Sequence, residues 1–179
     1  GYFIEHEKKG EAFLKALDYS RAMEAPDPAE ALQAMTSAYL FERNLLFKCK
    51  NKNLTRVVQP IEEGQITIQG FDPRVGKVQY IIFEKADGDI RDHITSLQRF
   101  DTAWVLRCLH HVSTGLHQLH KEGIVHQDLK PSNVLIFDDG SLSKLADLAR
   151  GAYKGLPAPH EDLDIAGDPS YSPPELLYG

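Results

Sequence analysis

The chain has 179 residues, the size of one domain, with ordinary shares of hydrophobic (42%) and charged (26%) residues for a soluble globular protein. A formal net charge of −6 argues against nucleic acid as a main partner. Two cysteines are too few for a disulfide framework, and no run approaches the apolar length of a membrane span or the layout of a signal peptide. These features predict a chain of the cytoplasm with no membrane segment, or the cytosolic part of something larger.

Tyr2-Phe3-Ile4 and Ala12 to Leu17 read as two strands around a turn at Lys8-Lys9-Gly10. Pro26-Asp27-Pro28 breaks the chain, and Asp27 or Pro28 can start a helix over about 29–48. Leu32, Met35, Leu40, Leu46 and Phe47 are its apolar residues, and Glu30 and Glu42 are the acidic residues that bear on a site. Thr55 to Val58 and Gln65 to Ile68 read as short strands about a Glu62-Glu63-Gly64 turn. A loop from Phe71 to Gly76 precedes Val78 to Phe83, a continuous apolar run expected of a buried strand. Glu84 to Ile90 is a linker.

Residues 101–122 give the clearest helix, capped by Asp101 or Thr102. Val105, Leu109, Val112, Leu116 and Leu119 recur at helical steps and predict its buried stripe. His110, His111, His117 and His120 lack a His-Glu-x-x-His arrangement and read as structural or surface residues rather than ligands. Gly123 ends the helix.

The chemistry concentrates in His126-Gln127-Asp128-Leu129-Lys130-Pro131-Ser132-Asn133, which leads into the apolar run Val134 to Phe137. Asp128 can accept a proton, Lys130 can neutralise a phosphate, and Asn133 can offer a carbonyl to a hard cation. Asp147, fourteen residues after Asn133 and beyond a short hairpin, is a second hard ligand. Two metal-binding side chains, a base and a lysine point to phosphoryl transfer.

This stretch resembles the catalytic loop of eukaryotic-type protein kinases, His-Arg-Asp-Leu-Lys-x-x-Asn, with Gln127 in place of Arg. The resemblance implies an α+β, bilobal protein-kinase-like fold: a partial β-rich N-lobe over 1–84, a hinge over 85–89, and a partial helical C-lobe over 90–179. It implies a serine/threonine protein kinase using ATP and Mg²⁺ on a protein substrate. Asp128 would orient the acceptor hydroxyl and take its proton, with Lys130 stabilising the transferring phosphoryl. Asn133 and Asp147 would hold Mg²⁺. Lys15 would pair with the phosphates and with Glu42, which falls nine residues before an Asn51-Lys52-Asn53-Leu54 turn similar to one in the family. The main chain of Glu84 and Ala86 would bond the adenine, Phe83 would set the depth of its pocket, and Leu135 would be its floor. His126, Leu148 and Leu46 would be packing residues.

Several positions depart from the family pattern. Phe13 stands where a small alanine normally touches adenine, and is expected to crowd the nucleotide. Asp147-Leu148-Ala149 replaces Asp-Phe-Gly, with Ala149 restricting the backbone. Gln127 removes the positive charge that collects an activating phosphate, and the segment from Gly151 to Gly167 contains no Ser or Thr. Asp168 replaces a threonine between the catalytic Asp and Lys, in a Gly167 to Glu175 stretch similar to the family's Gly-Thr-x-x-Tyr-x-Ala-Pro-Glu. Gly1 is in the place of a last phosphate-loop glycine, and the helices expected after Gly179 lie outside the chain, so a fragment of a longer kinase is expected. A pseudokinase-like nucleotide-binding or interaction module and a small-molecule kinase are the alternative functions.

Overall fold

The computed structural model describes residues 1–70, 76–96 and 101–178. Most of the expected 71–76 loop therefore lies outside the described residues. β1 (Tyr2–His6) and β2 (Gly10–Ala16) form the expected hairpin. A single turn, α1 (Ser20–Met23), leads to α2 (Pro28–Asn51), which is longer than expected at its C-terminal end. Asp27 caps α2, its carboxylate accepting from the Ala29 and Glu30 N–H groups at 3.0 Å each, and Pro28 enters where no N–H is needed. The buried face of α2 is Tyr39, Phe41, Glu42, Leu45, Leu46 and Cys49, a helical spacing, whereas Leu40 is exposed. Truncating Leu46, 1% exposed, to alanine would cost about 2–5 kcal/mol by the cavity it leaves.

β3 (Pro60–Thr67) and β4 (Lys77–Glu84) complete an antiparallel sheet of order β1-β2-β4-β3. Here two sequence expectations fail. Glu62-Glu63-Gly64 is the interior of β3 rather than a turn, opposite Ile82, Ile81 and Tyr80. Pairing with β4 overrides weak local propensity, Arg43 of α2 holds Glu63, and the Tyr80 ring occupies the space above Gly64. Thr55 to Val58 is not a strand of this sheet. It clips onto the other half of the molecule: Val58 N–H donates to Leu145 O and Leu145 N–H to Arg56 O, both at 2.8 Å.

The second half is mainly helical. β5 (Gly88–Asp89) and α3 (Ile90–Ser96) follow the linker, then α4 (Thr102–Lys121), capped by Asp101. α4 buries Trp104, Cys108, His111, Gly115 and Leu119, so its inward face is rotated relative to the predicted stripe: Leu119 is buried as expected, Val112 and Leu116 are partly buried against the core, and Leu109 is 57% exposed. The close approach at Gly115 explains the rotation: a Cβ there would lie 2.9 Å from Leu145 Cδ1. His111 is structural, its Nδ1 accepting from Ser143 N–H at 3.1 Å, while His110, His117 and His120 are exposed.

β6 (Ile124–Val125) pairs with β9 (Ala152–Tyr153), while β7 (Val134–Phe137) pairs with β5 and β8 (Leu142–Leu145). The chain closes with a 3₁₀ turn at Pro169–Tyr171 and α5 (Pro174–Tyr178). One core joins the halves: Leu45 and Leu46 of α2, Val57, Phe83, Leu119, Leu145 and Leu148. No helix among the described residues is long and apolar enough to cross a membrane.

Candidate active site

β2 carries Phe13 and Lys15 on one face, since strand residues two apart point the same way. Lys15 Nζ donates to Glu42 of α2 at 2.7 and 3.0 Å and to Asp147 Oδ1 at 3.3 Å. Glu30, the rival on the same helix, lies about three turns, ~18 Å, before Glu42 along α2. Burial works against the Lys15 ammonium, but Glu42 and Asp147 outweigh it and hold its pKa above the ordinary lysine value. Burial pushes Glu42 upward in turn, against the pull of Lys15.

The catalytic-loop stretch is fixed from both sides. His126, 2% exposed, sits under it, its Nε2 3.0 Å from Ala146 O and its Nδ1 3.4 Å from Asp128 N. A carbonyl only accepts and an amide only donates, so His126 carries its proton on Nε2 and is neutral. Burial holds its pKa below the usual histidine value. The Ala146 N–H donates to Asn133 O at 2.9 Å, which brings Asp147 beside the loop.

Asp128 is almost completely engaged. Its Oδ1 accepts from Asp168 N–H at 2.8 Å, and its Oδ2 accepts from Asn133 Nδ2 at 3.0 Å and lies 3.1 Å from Lys130 Nζ. Asn133 gives its second N–H to Asp128 O at 2.8 Å, which leaves the amide carbonyl for another partner. Asp168 Oδ2 lies 3.5 Å from Lys130, so the residue in the threonine position shares the lysine with Asp128. Asp128 and Asp168 hold the Lys130 ammonium above its ordinary pKa range, Asp128 being the stronger influence. The Ser170 N–H and then Lys130 hold the Asp168 carboxyl below its own. Gly167 permits this approach: a Cβ there would lie 2.2 Å from Gln127 O and 3.0 Å from Asp128 Cα.

A cavity of about 540 Å³ lies between the sheet and the loop. Its polar end has Lys15, Glu42, Asn133 and Asp147; its apolar end has Phe13, Phe83, Ala86 and Leu135, with Glu84 at the edge. Asp128 instead lines the adjoining groove against Gly167 and Asp168. Asn133 and Asp147 are oxygen donors of the kind Mg²⁺ takes, and two protein ligands suit an ion that completes its shell with phosphates and water. Lys15 suits a phosphate. Among the described residues no group of three or more His, Cys, Asp or Glu is placed to hold a metal.

Two residues carried no signal in the sequence. Lys144 of β8 donates to Glu84 Oε2 at 2.6 Å while Glu84 Oε1 accepts from Gln59 N–H at 2.8 Å, which fixes the linker glutamate. His160, 7% exposed, lies with Nε2 3.4 Å from Gln127 Oε1 and stands edge-on to Phe41 of α2. Ala149 is not among the positive-φ residues, so alanine strains nothing there, whereas Asp147 itself adopts φ 61°.

A β-rich lobe and a helical lobe meeting at such a cavity, with an acid, a lysine and an asparagine on the loop below, define a protein-kinase-like fold. Residues 6–179 match the protein kinase domain family, and the chain belongs to it. Among curated relatives it is 35% identical over 103 residues to the serine/threonine-protein kinase dkf-1 of Caenorhabditis elegans, covering 55% of this chain and 14% of that protein. It is 30% identical over 99 residues to an Aurora kinase of Debaryomyces hansenii, covering 55% of this chain and 24% of the relative. It is 27% identical over 139 residues to the serine/threonine-protein kinase DCLK1 of Rattus norvegicus, covering 73% and 31% respectively. The chain thus spans less than a third of the length of each of these relatives.

Proposed function

We propose that this chain is the catalytic part of a serine/threonine protein kinase, transferring the γ-phosphoryl group of ATP, with Mg²⁺, to a hydroxyl of a protein substrate. The observation that carries this reading is the meeting of Lys15, Glu42, Asn133 and Asp147 at one end of a cavity, with Asp128 bonded to Asn133 beside it. Phosphoryl transfer needs positioning and charge neutralisation more than covalent help.

In this reading Lys15, oriented by Glu42, binds the α and β phosphates, and Asn133 Oδ1 and Asp147 hold Mg²⁺, which neutralises charge on the phosphates when bound. Asp128 orients the acceptor hydroxyl and receives its proton. Lys130 faces the negative charge that develops on the transferring group. The main chain at Glu84 and Ala86 meets the adenine above Leu135. The buried, unpaired thiols of Cys49 and Cys108 support a reducing compartment, and we assign the protein to the cytoplasm.

A second reading, a nucleotide-binding module without transfer, is favoured by Phe13 alone, which lines the cavity where the base would lie. Radiolabel transfer from Mg-ATP to a mixed serine/threonine peptide library, using the full-length protein, separates the two. The kinase reading expects transfer that falls about 10²–10⁴-fold in Asp128→Ala, the usual worth of a positioned base. ATP binding with no transfer by the wild type would favour the second reading; transfer that survives Asp128→Ala would remove the role of Asp128.

A further inference from the structure

Three phenylalanines form a row across the roof of the cavity. Phe3 of β1 stands opposite Phe13 of β2, and Phe13 stands opposite Phe83 of β4. Directly opposed residues of antiparallel strands project from the same face. The Phe3 and Phe13 rings meet edge to face with centroids 5.8 Å apart. Lys85 braces this arrangement from the linker, its Nζ 5.8 Å from the Phe3 ring centre and 2.8 Å from Glu11 Oε2. The chain at Gly1 presses on the Phe13 ring so closely that a Cβ there would lie 2.1 Å from Phe13 Cζ. The ring is thus held from two sides and has little room to swing out of the cavity.

Lys15 fixes the polar end of the cavity, and Phe13 lies two residues back along the same strand face, roughly 7 Å away. With the phosphates at Lys15, the heterocycle of a nucleotide reaches the slot between Phe13 above and Leu135 below. We infer that Phe13 is a specificity-determining residue: its benzyl group fills the upper part of the base slot, so a nucleoside triphosphate binds with its base in a shallow position and with reduced affinity. The inference rests on the nucleotide-binding reading proposed above. It concerns the base alone, because Phe13 does not touch the phosphate end.

The test compares Mg-ATP with Mg-tripolyphosphate, which has the phosphates and lacks the base, by calorimetric titration of the full-length protein. Wild type, Phe13→Ala and Phe13→Leu are titrated after circular dichroism establishes that each is folded; the leucine variant keeps apolar volume should the alanine variant fail to fold. Phe13→Ala is expected to bind Mg-ATP at least tenfold tighter, about 1.4 kcal/mol, with Phe13→Leu between it and the wild type. Tripolyphosphate affinity is expected to stay within twofold throughout. Unchanged or weaker ATP binding in both variants would overturn the role of Phe13 while leaving nucleotide binding intact. A tripolyphosphate gain matching the ATP gain would overturn it too, as a general loosening of the roof. If no folded protein binds either ligand, the nucleotide reading itself fails and takes this inference with it.

Discussion

Lys15 and Lys130 each stand between two carboxylates, yet the two arrangements depend on their lysines to different degrees. Both oxygens of Glu42 accept from Lys15, and among the described residues no other donor reaches them. Asp128 has Lys130 at 3.1 Å but also accepts from Asn133 Nδ2 and from the Asp168 N–H. Glu42 comes from a helix and depends on a strand for its counter-charge, whereas Asp128 is held mostly by its own loop and by backbone. A charge with one partner makes that partner structural. A charge with several frees its lysine for chemistry.

The largest expected effect follows from this difference. Lys15→Ala leaves the Glu42 carboxylate, 7% exposed, without a donor. We expect a loss of about 1–3 kcal/mol in urea unfolding, below the cost of breaking a fully buried pair because the Lys15 side chain is 43% exposed and water reaches it. Lys130→Ala should cost about 1 kcal/mol or less, because Asp128 keeps its Asn133 and Asp168 N–H donors, while removing most of the phosphoryl transfer. Equal losses of stability in the two variants would break the contrast.

A smaller effect comes from the buried histidines. His126 and His111 are both held below the ordinary histidine pKa of about 6.5, His126 by burial and His111 by burial and then the Arg56 charge. The folded state therefore binds fewer protons than the unfolded chain just below that pH, and stability should fall as pH drops from 7 toward 5. Each group contributes at most about 1.4 kcal/mol per pH unit. Glu42, pushed upward by burial, acts in the opposite sense as its carboxyl protonates, so the histidine share is read by difference. His111→Asn keeps an acceptor for the Ser143 N–H and should show a shallower pH slope than wild type. Identical slopes would mean that His111 does not titrate differently in the folded state.

The candidate site was legible in two ways: Asp128, Lys130, Asn133 and Asp147 stood out by residue type and spacing, whereas Lys15 and Glu42 were found only through the resemblance to the protein kinase family. The fold brings Lys15, Glu42, Asn133 and Asp147 to one cavity, with Asp128 bonded to Asn133 beside it. Features set by tertiary packing stayed hidden. The inward face of α4 was off by one position because Gly115, with no side chain to register in an apolar pattern, marks the closest approach to β8. The strand through Glu62-Glu63-Gly64 looked like a turn, since its partners Arg43 and Tyr80 are remote in sequence. Lys144 and His160 are common residues in unremarkable settings until the fold puts Glu84 and Gln127 beside them.

The smallest expected effect separates the catalytic loop from the segment that covers it. Where the family has an arginine for an activating phosphate, Gln127 meets His160, which in turn stands against Phe41 beside Glu42. A neutral amide has no charge-assisted bond to offer a phosphate. The approach of Gly167 and the Asp168 N–H to Asp128 is made without one. Treating the active full-length protein with a broad phosphatase should therefore leave its transfer rate within about twofold, a difference of under about 0.5 kcal/mol in the barrier. Mass spectrometry should find Tyr153, the one hydroxyl residue between Gly151 and Gly167, unmodified in that active protein. A stoichiometric phosphate there, whose removal abolishes activity, would show that the Gln127–His160–Phe41 contact does not order the segment by itself.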